Sequence, residues 1–72
     1  MTIYYNEDKT EAVLNIGEEY LKISEFKTET GKDFEFFCNC FKDWFYSISE
    51  YKRNSYSLNE LFRDYLAERA LQ

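Results

Sequence analysis

The chain has no histidine and no proline, only two glycines (Gly17 and Gly31), and only two cysteines (Cys38 and Cys40). Without histidine the commonest general base and metal ligand is missing, and neither a Ser–His nor a Cys–His nucleophile pair can be assembled. Neither glycine falls in a G-x-x-x-x-G-K phosphate loop. Two cysteines without histidine fall short of an ordinary structural zinc site. Their i, i+2 spacing sets them about 200° apart on a helix, where they cannot bridge each other. No apolar run approaches the roughly 18–20 residues that span a bilayer, and no signal-peptide pattern opens the sequence. Reduced thiols and a cytoplasmic location are therefore expected. Bases are scarce as well: nine Lys and Arg stand against fourteen Asp and Glu, a formal charge of −5. A basic groove for nucleic acid is not expected on such a chain, nor is adhesion to anionic lipid. No enzyme activity, cofactor or metal is expected.

What is present is aromatic. Seven Phe, seven Tyr and one Trp sit in 72 residues, a length near the lower limit for a self-supporting core. Each ring can bury about 150–250 Å², so core filling accounts for most of them. The length fits one domain, too short for a full Rossmann sheet or a second domain.

Periodicity divides the chain near Gly31. Residues 1–30 read as strands and charged turns. Thr2–Asn6 is a strand, Glu7–Thr10 a polar turn, and Glu11–Ile16 a second strand with Ala12, Leu14 and Ile16 on one face. Gly17 punctuates, and Glu19–Ser24 reads as a third strand with Leu21 and Ile23 inward; a short helix over residues 18–25 is the competing reading. Residues 25–30 make a charged connection. Thr30-Gly31-Lys32-Asp33 has capping-box spacing, and a first helix is expected over residues 31–53. At about 100° per residue its apolar arc comprises Phe34, Phe37, Cys38, Phe41, Trp44, Phe45 and Ile48, with Cys40 and Tyr51 on the edge. Lys52 and Arg53 stand where a helix C-terminus favours cations. Ser57-Leu-Asn-Glu60 is a capping box, with Tyr56 placed to staple against Leu61. The second helix, residues 57–71, carries a stripe of Leu58, Leu61, Phe62, Tyr65 and Leu66, with Arg69 in its last turn. The expected fold is α+β: a three-stranded antiparallel sheet followed by two antiparallel helices.

Functional candidates are the residues that break the helical pattern. Opposite the apolar arc lie Glu35, Asn39, Asp43, Tyr46 and Glu50, with Phe36 at the border. An exposed aromatic among carboxylates suits a hot spot against a basic partner. In the second helix Glu60, Asp64 and Glu68 recur every fourth residue, where like charges cost a few tenths of a kcal/mol each. Glu7, Asp8 and Glu11 cluster at the first hairpin, and Glu18 and Glu19 follow Gly17. The partner-binding set is Glu35, Asp43, Tyr46, Glu50, Glu60, Asp64 and Glu68. The simpler accounts are that Phe36 and Tyr46 pack against the sheet or a loop, and that the Glu60–Asp64–Glu68 row is a plain solvated face.

In its small size, acidity, aromatic content, order of elements and lack of catalytic residues, the chain resembles phage-encoded inhibitors of host defence, the anti-CRISPR and DNA-mimic classes. The resemblance extends over the whole chain but rests on no motif, so it assigns no residue a role. It implies occupation of a basic nucleic-acid channel, carboxylates standing in for phosphates, with a host nuclease or other nucleic-acid enzyme as partner and no direct contact with nucleic acid. An immunity-type protein directed at another basic partner would show the same surface. So would a homodimeric structural domain burying Phe36, Trp44 and Tyr46; monomer and homodimer both remain open.

Overall fold

A computed structural model describes residues 1–24 and 34–70. The Thr30–Asp33 capping signal, the charged connection before it and residue 71 lie outside the described residues. Three strands, β1 (Thr2–Tyr5), β2 (Glu11–Ile16) and β3 (Glu19–Ser24), form an antiparallel sheet in the order β1-β2-β3. Among the described residues three helices follow: α1 (Phe34–Ser47), α2 (Glu50–Ser55) and α3 (Leu58–Ala70).

The strands follow from alternation. Register pairs Ile3 with Leu14 and Leu14 with Leu21, and pairs Tyr5 with Ala12 and Ala12 with Ile23. Those two rows face the helices, and Ala12, Leu14 and Ile23 are buried. The opposite face carries Thr2, Tyr4, Val13, Asn15, Tyr20 and Lys22, a side-chain period of two resolved into an inner and an outer face. Residues 19–24 are strand, so the competing helical reading is set aside. Gly17 has φ 58° in a two-residue loop between Ile16 and Glu19, the first central position of a type II′ hairpin turn, where glycine carries no steric cost.

The first hairpin is closed by a side chain. Asn6 Oδ1 accepts from the backbone N–H groups of both Thr10 and Glu11, each at 2.9 Å. Thr10 donates its hydroxyl to Asp8 at 2.8 Å, which holds the Asp8 carboxyl below the usual carboxylate range. Lys9 takes a positive φ of 58°, a left-handed conformation uncommon outside glycine.

The sequence pattern predicts one helix over residues 31–53; the structure breaks it at Ile48 and Ser49. Ser47 donates its hydroxyl to the Trp44 carbonyl at 2.7 Å, competing for an acceptor of the last turn. Ser49 then adopts an extended conformation (φ −64°, ψ 149°) and its Oγ accepts the Lys52 N–H at 3.1 Å, starting α2 as an N-cap. The break turns Tyr51 out of the apolar arc, and it is 83% exposed rather than packed at the edge. Among the described residues three helices thus stand where the sequence pattern predicts two, within the expected α+β fold of a three-stranded antiparallel sheet followed by helices. Lys52 and Arg53 stand in the last turn of α2, as their position in sequence suggests, and Arg53 also reaches back to the Tyr46 carbonyl of α1 at 3.4 Å.

The core is a layer of rings. Phe34, Phe37, Cys38, Phe41 and Phe45 of α1 meet Leu58, Leu61, Phe62 and Tyr65 of α3 above the buried sheet face. Phe41 lies 5.2 Å from Phe62 and 5.3 Å from Tyr65 between ring centroids, within the range for tilted and edge-to-face pairs. Arg69 sits 4.8 Å above the Phe37 ring, a cation–π contact at the end of the α3 stripe.

Helix α3 begins with the capping box. Ser57 Oγ accepts the Glu60 N–H at 3.2 Å, and Glu60 Oε1 accepts the Ser57 N–H at 3.1 Å. A second carboxylate joins from the sheet: Glu19 Oε1 accepts the Leu58 N–H at 3.0 Å. Two orphan donors of the first turn and the cap's own N–H are thereby satisfied. Ser57→Ala should remove one of these bonds and cost about 1 kcal/mol, lowering the melting temperature by roughly 4–8 °C in a domain of this size; a thermal melt followed by circular dichroism checks it. The bond from the Ser57 N–H also holds the Glu60 carboxyl below its ordinary range. A carboxyl depressed by folding contributes stability above its unfolded pKa and loses it as pH falls through the folded value. Glu60→Gln, which can still accept the bond but cannot titrate, should therefore lose less stability than the parent between about pH 5 and pH 3, read from melts across that range.

Candidate functional site

The seven candidate residues occupy two helical faces, and their surroundings differ. On α3 each carboxylate has an internal partner. Glu60 closes the capping box. Asp64 takes the Lys52 ammonium at 2.7 Å, tying α3 to α2 and raising the Lys52 pKa, chiefly through that bond. Glu68 accepts the indole N–H of Trp44 at 3.1 Å. The row that reads in sequence as an unopposed acidic stripe is in this fold internally partnered, Glu60 within the cap of α3 and Asp64 and Glu68 fastening α3 to α2 and α1.

The other face runs along α1 into α2. Glu35 pairs with Lys9 of the first hairpin at 2.9 Å, both side chains half-exposed. Asp43 and Glu50 are exposed and have no hydrogen-bond or ion-pair partner among the described residues. Between them stands Tyr46, 48% exposed. Its ring packs edge-on to Phe45 and lies 5.6 Å beneath the Arg53 guanidinium, and its hydroxyl accepts a hydrogen bond from the Met1 amine. Tyr46, Glu50 and Arg53 line one groove with Ile16, Glu19, Phe45 and Asn54, about 290 Å³ in volume. Tyr46, Glu50 and Arg53, spaced i, i+4, i+7, stay on one face across the break at Ile48 and Ser49.

Comparison with protein families, with curated proteins and with solved structures returns no match to this chain.

Two further grooves did not stand out in the sequence. Phe36 is 70% exposed and borders a groove of about 280 Å³ with Cys40, Trp44, Tyr65, Glu68 and Arg69 between α1 and α3. The other is a mixed-charge groove of about 490 Å³ between α2 and α3, lined by Lys52, Tyr56, Glu60, Leu61, Arg63 and Asp64. Tyr56 and Leu61, the expected staple pair, both lie on it. Their residue types alone give no signal for these grooves, because the angles between the helices create them.

The cysteines are free thiols. Cys38 is buried against the Tyr5 hydroxyl; burial, the largest influence, pushes the thiol up to about 11 and the phenol up to about 12. A thiol raised that far carries almost no thiolate at neutral pH, and the thiolate is the nucleophile. Among the described residues no three His, Cys, Asp or Glu side chains converge as a metal would require, and no helix is long and apolar enough to cross a membrane. Alkylation at about pH 8 should accordingly label Cys40, which is half-buried, well before Cys38. Full labelling of Cys38 should need denaturant, as peptide mass spectrometry over a time course would show.

Proposed function

We propose that this protein is a non-enzymatic inhibitor that binds a basic protein surface. The finer form of the proposal makes that surface the nucleic-acid channel of a host defence nuclease, in the manner of the anti-CRISPR and DNA-mimic classes. The observation that carries it is the Asp43–Tyr46–Glu50 face: two exposed carboxylates without partners among the described residues flank a half-exposed aromatic ring held from both sides. A ring with its geometry already set loses little freedom on docking, and aromatic anchors dominate the energetics of protein interfaces. The overall charge of −5 supplies the steering field.

Of the seven candidates, Asp43, Tyr46 and Glu50 make the interface. Glu60, Asp64 and Glu68 keep their internal partners and act by holding α3 in place. The proposal thus moves away from carboxylates ranked along both helices, toward one compact face across the α1–α2 break. In a guided nuclease such a face would compete with the phosphate backbone for the Lys and Arg side chains that line the channel.

The test is a binding titration against a partner captured from a host lysate, at low and high salt and with nucleic acid as competitor. Affinity should fall with salt, since steering between exposed charges is screened beyond about 8–10 Å at physiological ionic strength. Asp43→Lys and Glu50→Lys should each weaken binding while leaving the melting temperature unchanged, and Tyr46→Ala should act chiefly on the dissociation rate. DNA or RNA should displace the protein if the partner surface is a nucleic-acid channel. Salt-independent affinity that neither charge reversal alters would overturn the proposal.

A further inference from the structure

Among the described residues no strand pairs with the outer edge of β1, and the chemistry of that edge can be read from the register. Asn6 stands opposite Glu11 in the continuation of the β1–β2 ladder, and its N–H donates to the Glu11 carbonyl at 3.1 Å. Antiparallel pairs alternate between bonded and non-bonded, so Tyr4 and Thr2 turn their backbone groups toward β2. Ile3 and Tyr5 therefore turn theirs away, toward the free edge. An edge with unpaired N–H and C=O groups is a template for another strand.

Beside that edge lies one face of α1. Tyr5 packs edge-on to Phe34, with centroids 6.2 Å apart, at one end of β1, and Met1 meets Tyr46 at the other. The strand therefore runs antiparallel to the helix, with Ile3 level with the middle of α1. Between them is an open groove of about 400 Å³ lined by Met1, Thr2, Ile3, Tyr5, Glu35, Asn39 and Lys42. Glu35, Asn39 and Lys42 are spaced i, i+4, i+7 and share one helix face. Asn39 is the midpoint, with an acid on one side and a base on the other at nearly equal distances.

That arrangement is self-complementary. A two-fold axis through Ile3 and Asn39 sets β1 antiparallel to β1 of a second copy, with Ile3 opposite Ile3 and Tyr5 opposite Met1. Ile3 and Tyr5 turn their backbone groups to the free edge, so the ladder can close about the Ile3 pair, while the Met1 amine stays with the Tyr46 hydroxyl. The same axis sets Glu35 of each copy beside Lys42 of the other and brings the two Asn39 amides together. We propose that the β1 edge and the Glu35–Asn39–Lys42 face form a two-fold interface between copies of this chain, producing a continuous six-stranded sheet. An isologous contact of this kind needs one patch complementary to itself, and the mirrored charges supply that. Glu35 keeps Lys9 as its internal partner at 2.9 Å, leaving an exposed carboxylate to bridge both lysines. Four edge residues and one helix face make a small interface, and the dimer is accordingly weak.

This proposal does not depend on the Asp43–Tyr46–Glu50 face, and its test uses no other protein, so its failure would leave the inhibitor reading standing. Sedimentation equilibrium should show the mass rising from monomer to dimer across about 10 µM to 1 mM. Over that range the amides of Ile3 and Tyr5 should gain protection from hydrogen exchange, while the exposed loop amides at Glu7 and Asp8 should not. Glu35→Lys and Lys42→Glu should each raise the dissociation constant by about tenfold, since both ion pairs of the dimer become repulsions. The double variant Glu35→Lys/Lys42→Glu should restore it, because the swap recreates both pairs. A monomer at every concentration would overturn the proposal. So would a dimer in which Ile3 and Tyr5 exchange unprotected, or a double variant no tighter than the singles.

Discussion

One 14-residue helix has to serve two layers. The buried positions of α1 divide between neighbours: Phe34 and Cys38 meet Tyr5 of the sheet, while Phe37 and Phe41 meet Phe62 and Tyr65 of α3. A helix that is apolar over so wide an arc can be stable in a small domain only if both sides of the arc are covered. Everything else follows from supplying those covers. The sheet needs only one apolar face, and α3 needs a firm start because its stripe must arrive in register with the α1 rings. The capping box and the Glu19 carboxylate give it that start.

The charged residues divide along the same line. Where α3 approaches the first two helices, its carboxylates are drawn into contacts with Lys52 and Trp44, and Arg69 lies over the Phe37 ring. Exposed contacts of this kind contribute little to stability, but they fix which way a short helix faces. Where the end of α1 and the start of α2 turn away from their neighbours, Asp43 and Glu50 have nothing comparable within reach among the described residues. Acidic charge is therefore spread over the surface unevenly in its availability, and a count of Asp and Glu does not reveal which of them a partner could use.

The strands and the turn at Gly17 were legible in the sequence because a period of two, bounded by a glycine and polar clusters, has few other interpretations. The apolar arc of α1 and the Ser57–Glu60 cap were legible for the same reason. The helix break was not: Ile48 and Tyr51 continue the 100° spacing of the arc, so hydrophobic periodicity runs straight through Ser47 and Ser49. The signal lay in those two serines, one able to bond a carbonyl behind it and the other to cap the turn ahead. For the candidate site, Tyr46 and the exposure of Asp43 and Glu50 were readable from their position opposite the arc. The pairing of Lys9 with Glu35, Lys52 with Asp64 and Trp44 with Glu68 was not, since each depends on how elements far apart in sequence are inclined to one another. No local pattern encodes that angle.

The bond from Leu58 to Glu19 spans 39 residues, from the turn-proximal end of β3 to the first turn of the last helix. It encloses within one loop the rest of β3, all of α1 and α2, and the segment between the sheet and the helices. Closing a loop of that length costs chain entropy that local contacts do not recover until the ring layer packs. The sheet and the last helix are thus joined in a single cooperative unit, in which each reports on the other's order. A proteolytic cut anywhere inside that loop would relax the clasp without removing a single core side chain.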